Sequence, residues 1–116
     1  MLNVVVRGQP YEVMHTGEKN VEYRENTGYR RKRLLASGGE FKPFTHVHIA
    51  EGYGAGRREF LATCRGLVWL PAQEPITFST GWRLDLDHAE GYVGVLLGDI
   101  VWHRTPQATQ HGTAPH

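Results

Sequence analysis

The chain has 116 residues, a formal net charge of +1, and 40% apolar, 10% aromatic and 22% charged residues. That length allows one domain with one core, burying roughly 65% of the unfolded surface. The near-neutral balance excludes a polycation, so an anion-binding surface has to come from local clustering. The single cysteine, Cys64, excludes an intramolecular disulfide and a multi-cysteine metal site. No N-terminal stretch has the pattern of a signal peptide, and no apolar run reaches membrane-spanning length. The expectation is a soluble, reducing, cytoplasmic setting with no membrane partner; the oligomeric state is not set by these features. Fourteen glycines and six prolines imply many turns and a β-rich fold.

In chain order, Leu2 to Arg7 reads as a strand rich in β-branched residues, ended by Gly8. Gln9 to Thr16 reads as a short helix, with Pro10 at its first position and Gly17 just past its end. Val13 and Met14 are expected to pack inward, Tyr11 at the edge, and His15 at the surface. After the Gly17 turn, Val21-Glu22-Tyr23-Arg24 alternates apolar and charged. In a strand this puts Glu22 and Arg24 on one face and Val21 and Tyr23 on the other. Lys19 lies in the turn, where the pattern does not fix its direction. Tyr29 to Leu35 is expected to be a short helix carrying the run Arg30-Arg31-Lys32-Arg33.

Ala36 to Pro43 reads as a loop and Phe44 to Ala50 as a strand with Val47 and Ile49 on one face. His46 and His48 share the other face, a spacing that can chelate a metal. Glu51 comes early for a cupin and the later cupin pattern is missing, so no metal and no cofactor are expected. Tyr53 follows in Gly52-Tyr53-Gly54 and can stack on a base. Gly54-Ala55-Gly56-Arg57-Arg58 lacks the lysine and hydroxyl residue of a phosphate loop. Ala62 to Leu70 reads as a strand bent at Gly66, with Cys64 as a small buried hydrophobe. Pro71 to Asp87 reads as a long connection, with a short edge strand or rim loop over Trp82 to Asp87; Asp85 and Asp87 are expected to be solvated. From Gly91 we expect a core strand to Leu97, a turn at Gly98-Asp99 and a last strand from Ile100 to Arg104. Residues 105–116 are expected to form a disordered tail.

The stretch Gly17-Glu18-Lys19-Asn20-Val21-Glu22-Tyr23-Arg24 organises the rest. It sets an ammonium, a carboxylate and a guanidinium at a helix-to-strand corner. Six cations, Lys19, Arg24, Arg30, Arg31, Lys32 and Arg33, stand there against Glu22 and Glu25, so this half is locally positive. Gly17, Lys19, Glu22 and Arg24 fit the G-x-K-x-x-E-x-R signature of the ASCH domain, a family of the PUA-like superfamily. The chain resembles that family in element order from about Leu2 to Arg104.

The resemblance implies a mostly β fold with short helices (α+β): a small PUA-like β-barrel of five to six strands, filling residues 1–104, with a basic cleft. It implies RNA, single-stranded nucleic acid or a nucleoside as partner, and in some members ribonuclease activity. Lys19, Glu22 and Arg24 are then the candidate catalytic residues: Lys19 as base or electrostatic stabiliser, Glu22 orienting it or shuttling a proton. Arg30, Arg31, Lys32, Arg33 and Tyr53 are the candidate nucleic-acid contacts, with Trp82 a second stacking candidate. Other members hydrolyse an N-acylated cytidine nucleoside with a threonine where this chain has Glu22, so that mechanism does not transfer unchanged. A cupin-like metal-dependent enzyme is the third and weakest alternative.

Overall fold

The computed structural model describes residues 1–105. The expected tail lies, apart from Thr105, outside the described residues. The elements are β1 (Leu2–Val6), α1 (Gly8–His15), β2 (Val21–Glu25), α2 (Gly28–Leu34), β3 (His46–Glu51), β4 (Glu59–Leu70), β5 (Gln73–Thr77), β6 (Arg83–Leu86) and β7 (Tyr92–Arg104). Five strands form one sheet in the order β1-β3-β4-β7-β2, and β5 and β6 form a separate antiparallel pair. The larger sheet is curled into a half-barrel. The fold is therefore mostly β with two short helices, as the glycine-rich composition and alternating segments imply. β1 and β2 are the two edges of the sheet, so the curl leaves a seam between them.

The core lies on the concave face. Val4, Val47, Ile49, Phe60, Ala62, Val95 and Leu97 from four strands pack with Tyr11 and Met14 of α1. β1 runs parallel to β3, pairing Val4 with Ile49. A parallel pair needs a long crossover, and the segment from α1 through α2 supplies it. α1 ends as its sequence dictates: Thr16 caps it and Gly17 follows with φ 86°, a conformation a side chain would strain. The Lys19 amide then bonds back to the Val13 carbonyl at 2.8 Å, which fixes the turn. Tyr11, expected at the edge, is a core residue at 2% exposure. The Arg58 guanidinium lies 4.7 Å from its ring centroid, so charge covers the ring without exposing it. His15 is half-buried, in an aromatic cluster with Tyr11, Phe60 and His103.

Two expectations about the C-terminal half are corrected. The connection after Pro71 contains a strand, β5, that pairs with β6 to make a hairpin. Pro75 lies inside it, which concealed it; proline is tolerated in such an edge pair. Second, Gly98-Asp99 is no turn: β7 runs unbroken from Tyr92 to Arg104 beside β4. Gly98 serves close approach instead. A Cβ there would collide with Thr63 Oγ1 on β4, and register shifts between Ala62 and Gly66 absorb the irregularity. The bend expected at Gly66 is among these shifts, and its φ is 126°. β2 stops opposite Leu96, so the outer edge of β7 beyond Leu97 has no strand partner among the described residues.

Glu59 fastens β3, β4 and β7 together. It is buried at 6% exposure, 2.6 Å from His48 Nε2, and paired with Arg104 and, at 4.0 Å, Arg57. The His48 hydrogen bond and the charge of Arg104 outweigh burial and hold its carboxyl below the usual range. A carboxylate depressed by folding contributes stability above its unfolded value, about 4.3, and loses it as pH falls through the lower folded value. Glu59→Gln is therefore expected to lower stability at pH 7 by about 2 kcal/mol, the order of one charge-assisted hydrogen bond. It should also flatten the loss of stability below about pH 4. Urea unfolding of both proteins from pH 7 to pH 3 checks this; parallel pH profiles would contradict it.

Candidate functional site

Glu22 and Arg24 point to the interior, against the usual apolar-in order. In β2 they pair with Val95 and Val93 of β7, each fully buried, so the charged face of β2 is the concave face. Burying a carboxylate is costly unless cations and hydrogen bonds compensate. Here they do. Glu22 Oε1 accepts from Lys19 Nζ at 2.9 Å, and Oε2 accepts from Arg24 NH1 at 3.1 Å. Lys19 donates a second bond to the Val21 carbonyl at 2.7 Å and lies 5.6 Å from the Tyr23 ring centroid. Its side chain is only 3% exposed, that of Glu22 10%, that of Arg24 26%. The turn fixes Lys19 where the alternation pattern did not. The three charged residues of the motif thus form one hydrogen-bonded chain, graded from buried to half-exposed.

Two clefts open along the seam, each lined by β1 on one side and β2 on the other. The first, about 180 Å³, is lined by Val6, Arg7, Lys19, Glu22, Tyr23 and Trp82, among others. The β5–β6 hairpin brings Trp82 to it. Trp82 stacks on Phe78 with centroids 5.3 Å apart. The neighbouring Ser79 is held to Glu18 by hydrogen bonds of 2.8 and 2.7 Å. The motif turn therefore anchors the hairpin that covers it. The second cleft, about 240 Å³, is lined by residues Leu2 to Val5 of β1, by Arg24, by Tyr29, Arg30, Arg33 and Leu34 of α2, and by Tyr53.

The basic run divides between two faces. Thr27 caps α2 by accepting from the Arg30 amide at 3.2 Å. Helical spacing then sends Arg30 and Arg33 to the second cleft, whereas Arg31 and Lys32 line a different surface hollow with Ala36 and Ser37. Arg31 also bonds Asn26 at 2.7 Å. Arg33 is held by the Tyr29 hydroxyl at 3.0 Å and lies 5.5 Å from its ring centroid. The Arg30 guanidinium makes no side-chain hydrogen bond or ion pair among the described residues. Burial, then the nearby charge of Arg24, pushes its pKa down from the ordinary arginine value. Tyr53 stands out at 84% exposure and Tyr29 at 65%. Tyr29 was not among the expected contacts; its spacing to Arg33 was the available signal.

The histidine pair lies apart from this seam. His46 and His48 do share a face of β3, but His46 meets Thr45 and His48 meets Glu59. Among the described residues no three His, Cys, Asp or Glu side chains come together as metal ligands. Asp85 is exposed and paired with Arg83. Cys64 is half-buried against the core, with Sγ 3.9 Å from the Gly66 carbonyl. No described helix is long and apolar enough to cross a membrane.

The buried chain makes an energetic prediction. Glu22→Ala leaves the Lys19 ammonium buried without its carboxylate, so it is expected to cost about 3–5 kcal/mol. Arg24→Ala, more exposed and leaving Lys19 paired, should cost about 1 kcal/mol. Their double-mutant cycle, measured by urea unfolding, should show coupling of at least about 0.5 kcal/mol. Additive losses would mean that the three side chains do not act as one network.

Compared with known proteins, the chain matches no protein-family model, no curated protein and no solved structure.

Proposed function

We propose that this protein is a cytoplasmic PUA-like domain of the ASCH kind that binds a nucleotide or single-stranded RNA in the seam between β1 and β2. One observation carries the reading: Arg24 belongs both to the buried Lys19–Glu22–Arg24 chain and to the cleft lined by Arg30, Arg33, Tyr29 and Tyr53. A cleft with several guanidiniums, no lining carboxylate and two exposed aromatic rings is suited to phosphates and bases together. Arg24 and Arg30 face it from β2 and α2, so their charges converge. Arg31 and Lys32 contribute from outside, as long-range attraction that is sensitive to salt.

RNA cleavage is the second reading, favoured by the adjoining cleft that Lys19 and Glu22 line with Trp82. In such a reaction the 2′-hydroxyl attacks the adjacent phosphorus and the bond to the 5′-oxygen breaks, so the protein needs only to hold the phosphate, take the hydroxyl proton, stabilise charge and return a proton to the departing oxygen. Lys19 has one of its three ammonium hydrogens uncommitted by the bonds to Val21 and Glu22. It acts in this reading as a fixed donor to a phosphate oxygen. Glu22 orients Lys19 and Arg24 and is the available proton acceptor. Hydrolysis of an N-acylated cytidine nucleoside is weaker, because Glu22 offers no hydroxyl nucleophile.

The test measures single-stranded RNA binding at several salt concentrations together with RNA cleavage. Arg30→Ala should weaken binding about tenfold and reduce the salt slope by about one. Lys32→Ala should alter affinity less. Lys19→Ala should lower any cleavage about 100-fold or more while affinity changes little. Binding without cleavage by the wild type would leave the domain as a binding module. RNA and nucleotide binding that ignored Arg30 and Arg24 would overturn the proposed cleft.

A further inference from the structure

We infer that the second cleft takes a terminal phosphomonoester, the dianionic end of a nucleotide or of an RNA strand, and not the internal phosphodiesters of a chain. The inference rests on the reading of the seam as a nucleotide site. It follows from the charges that face the cleft. Arg24, Arg30 and Arg33 line it, and Lys19 in the adjoining cleft is a fourth cation, joined to Arg24 through Glu22. Glu22 supplies one carboxylate, shared between Lys19 and Arg24. Glu25 is the other carboxylate that acts on Arg30, and it is exposed beside His88. Two positive charges are left without a partner. A phosphomonoester carries about −1.5 to −2 at neutral pH, whereas each internal phosphodiester carries one negative charge.

The geometry narrows this further. No Asp or Glu lines the cleft, and its remaining wall is the β1 segment from Leu2 to Val5, whose one polar side chain is Asn3. Arg24 is committed to Glu22 through NH1 alone, so its other donors are available. Arg30 is half-buried with its guanidinium uncommitted among the described residues. A planar guanidinium binds phosphate oxygens through two parallel bonds. Two such groups, one from a strand and one from a helix, engage a phosphate that presents three free oxygens. An internal phosphodiester presents two, and its monoanion leaves one half-buried cation uncompensated. The Tyr29 and Tyr53 rings, exposed at this cleft, then meet the attached nucleoside.

The test measures binding of one short single-stranded RNA bearing a 5′-phosphate, a 3′-phosphate or hydroxyls at both ends, and of a nucleoside monophosphate beside its nucleoside. The inference expects a phosphorylated end to tighten binding about tenfold or more. Arg30→Ala should erase that gain, weakening the phosphorylated RNA well beyond the loss it shares with the hydroxyl-ended RNA. Arg30→Lys should keep part of it. Arg65→Ala, an exposed cation outside the cleft, should keep all of it. Inorganic phosphate should compete with the phosphorylated ligands. Which ligand gains most separates a strand end from a free mononucleotide. Equal affinity for phosphorylated and hydroxyl-ended RNA, with Arg30→Ala weakening both, would overturn the inference and leave the proposed function standing. No binding of any RNA or nucleotide by a folded wild-type protein would overturn both. Thermal melts of the variants establish that each is folded.

Discussion

The interaction on which the rest depends is the sharing of one buried carboxylate between two cations. Glu22 sits on the concave face of the sheet, opposite Val95. Alone there it would be expelled or neutralised. Lys19 and Arg24 make the position tolerable, and each is held by a different device: Lys19 by the Gly17 turn and its bond to Val13, Arg24 by the strand itself. The charged chain itself is thus assembled by local structure, without needing distant segments to converge. What comes from afar is the cover: the β5–β6 hairpin, fastened through Ser79 to Glu18 in the same turn.

The same charges account for the open seam. β1 and β2 are both edge strands, and a curled sheet with two free edges has a strong tendency to close or to pair with another chain. Inward-pointing charges on an edge strand oppose such pairing. Glu22 and Arg24 occupy that role on β2, so the seam stays a cleft. On the far side, the fold needs fasteners of its own, because β7 extends well past β2. Glu59 provides one by joining His48 and Arg104 across β3, β4 and β7. A second cluster joins Arg58 to Glu51 at 2.7 Å and to Glu12 of α1, holding that helix over the core.

Much of this was legible in the chain. Short-range rules located β1, α1, β2, α2 and β3 to within a residue or two, because Gly8, Gly17 and the Val47/Ile49 alternation act locally. The alternation over Val21 to Arg24 also paired Glu22 with Arg24 correctly. It could not say which face is inside, and the default of apolar residues inward is reversed here. Lys19 was unplaceable because its direction depends on a bond to Val13 across the turn. The single run Arg30 to Arg33 looked like one surface; helical geometry splits it, with Arg30 and Arg33 on the cleft side. β5 was missed because Pro75 argues against a strand. The supposed turn at Gly98 failed because a glycine needed for close packing against Thr63 has the same letter as one needed for a bend.

The most direct test of the central claim, that the β1–β2 seam around Lys19, Glu22 and Arg24 is the ligand site, is an amide chemical-shift titration with a nucleoside monophosphate. The account predicts that the amides of Val4 to Arg7, Lys19 to Arg24, Tyr29 to Arg33 and Tyr53 shift together along one binding curve. Shifts confined to another surface, such as the outer edge of β7 from Ile100 to Arg104, would contradict it.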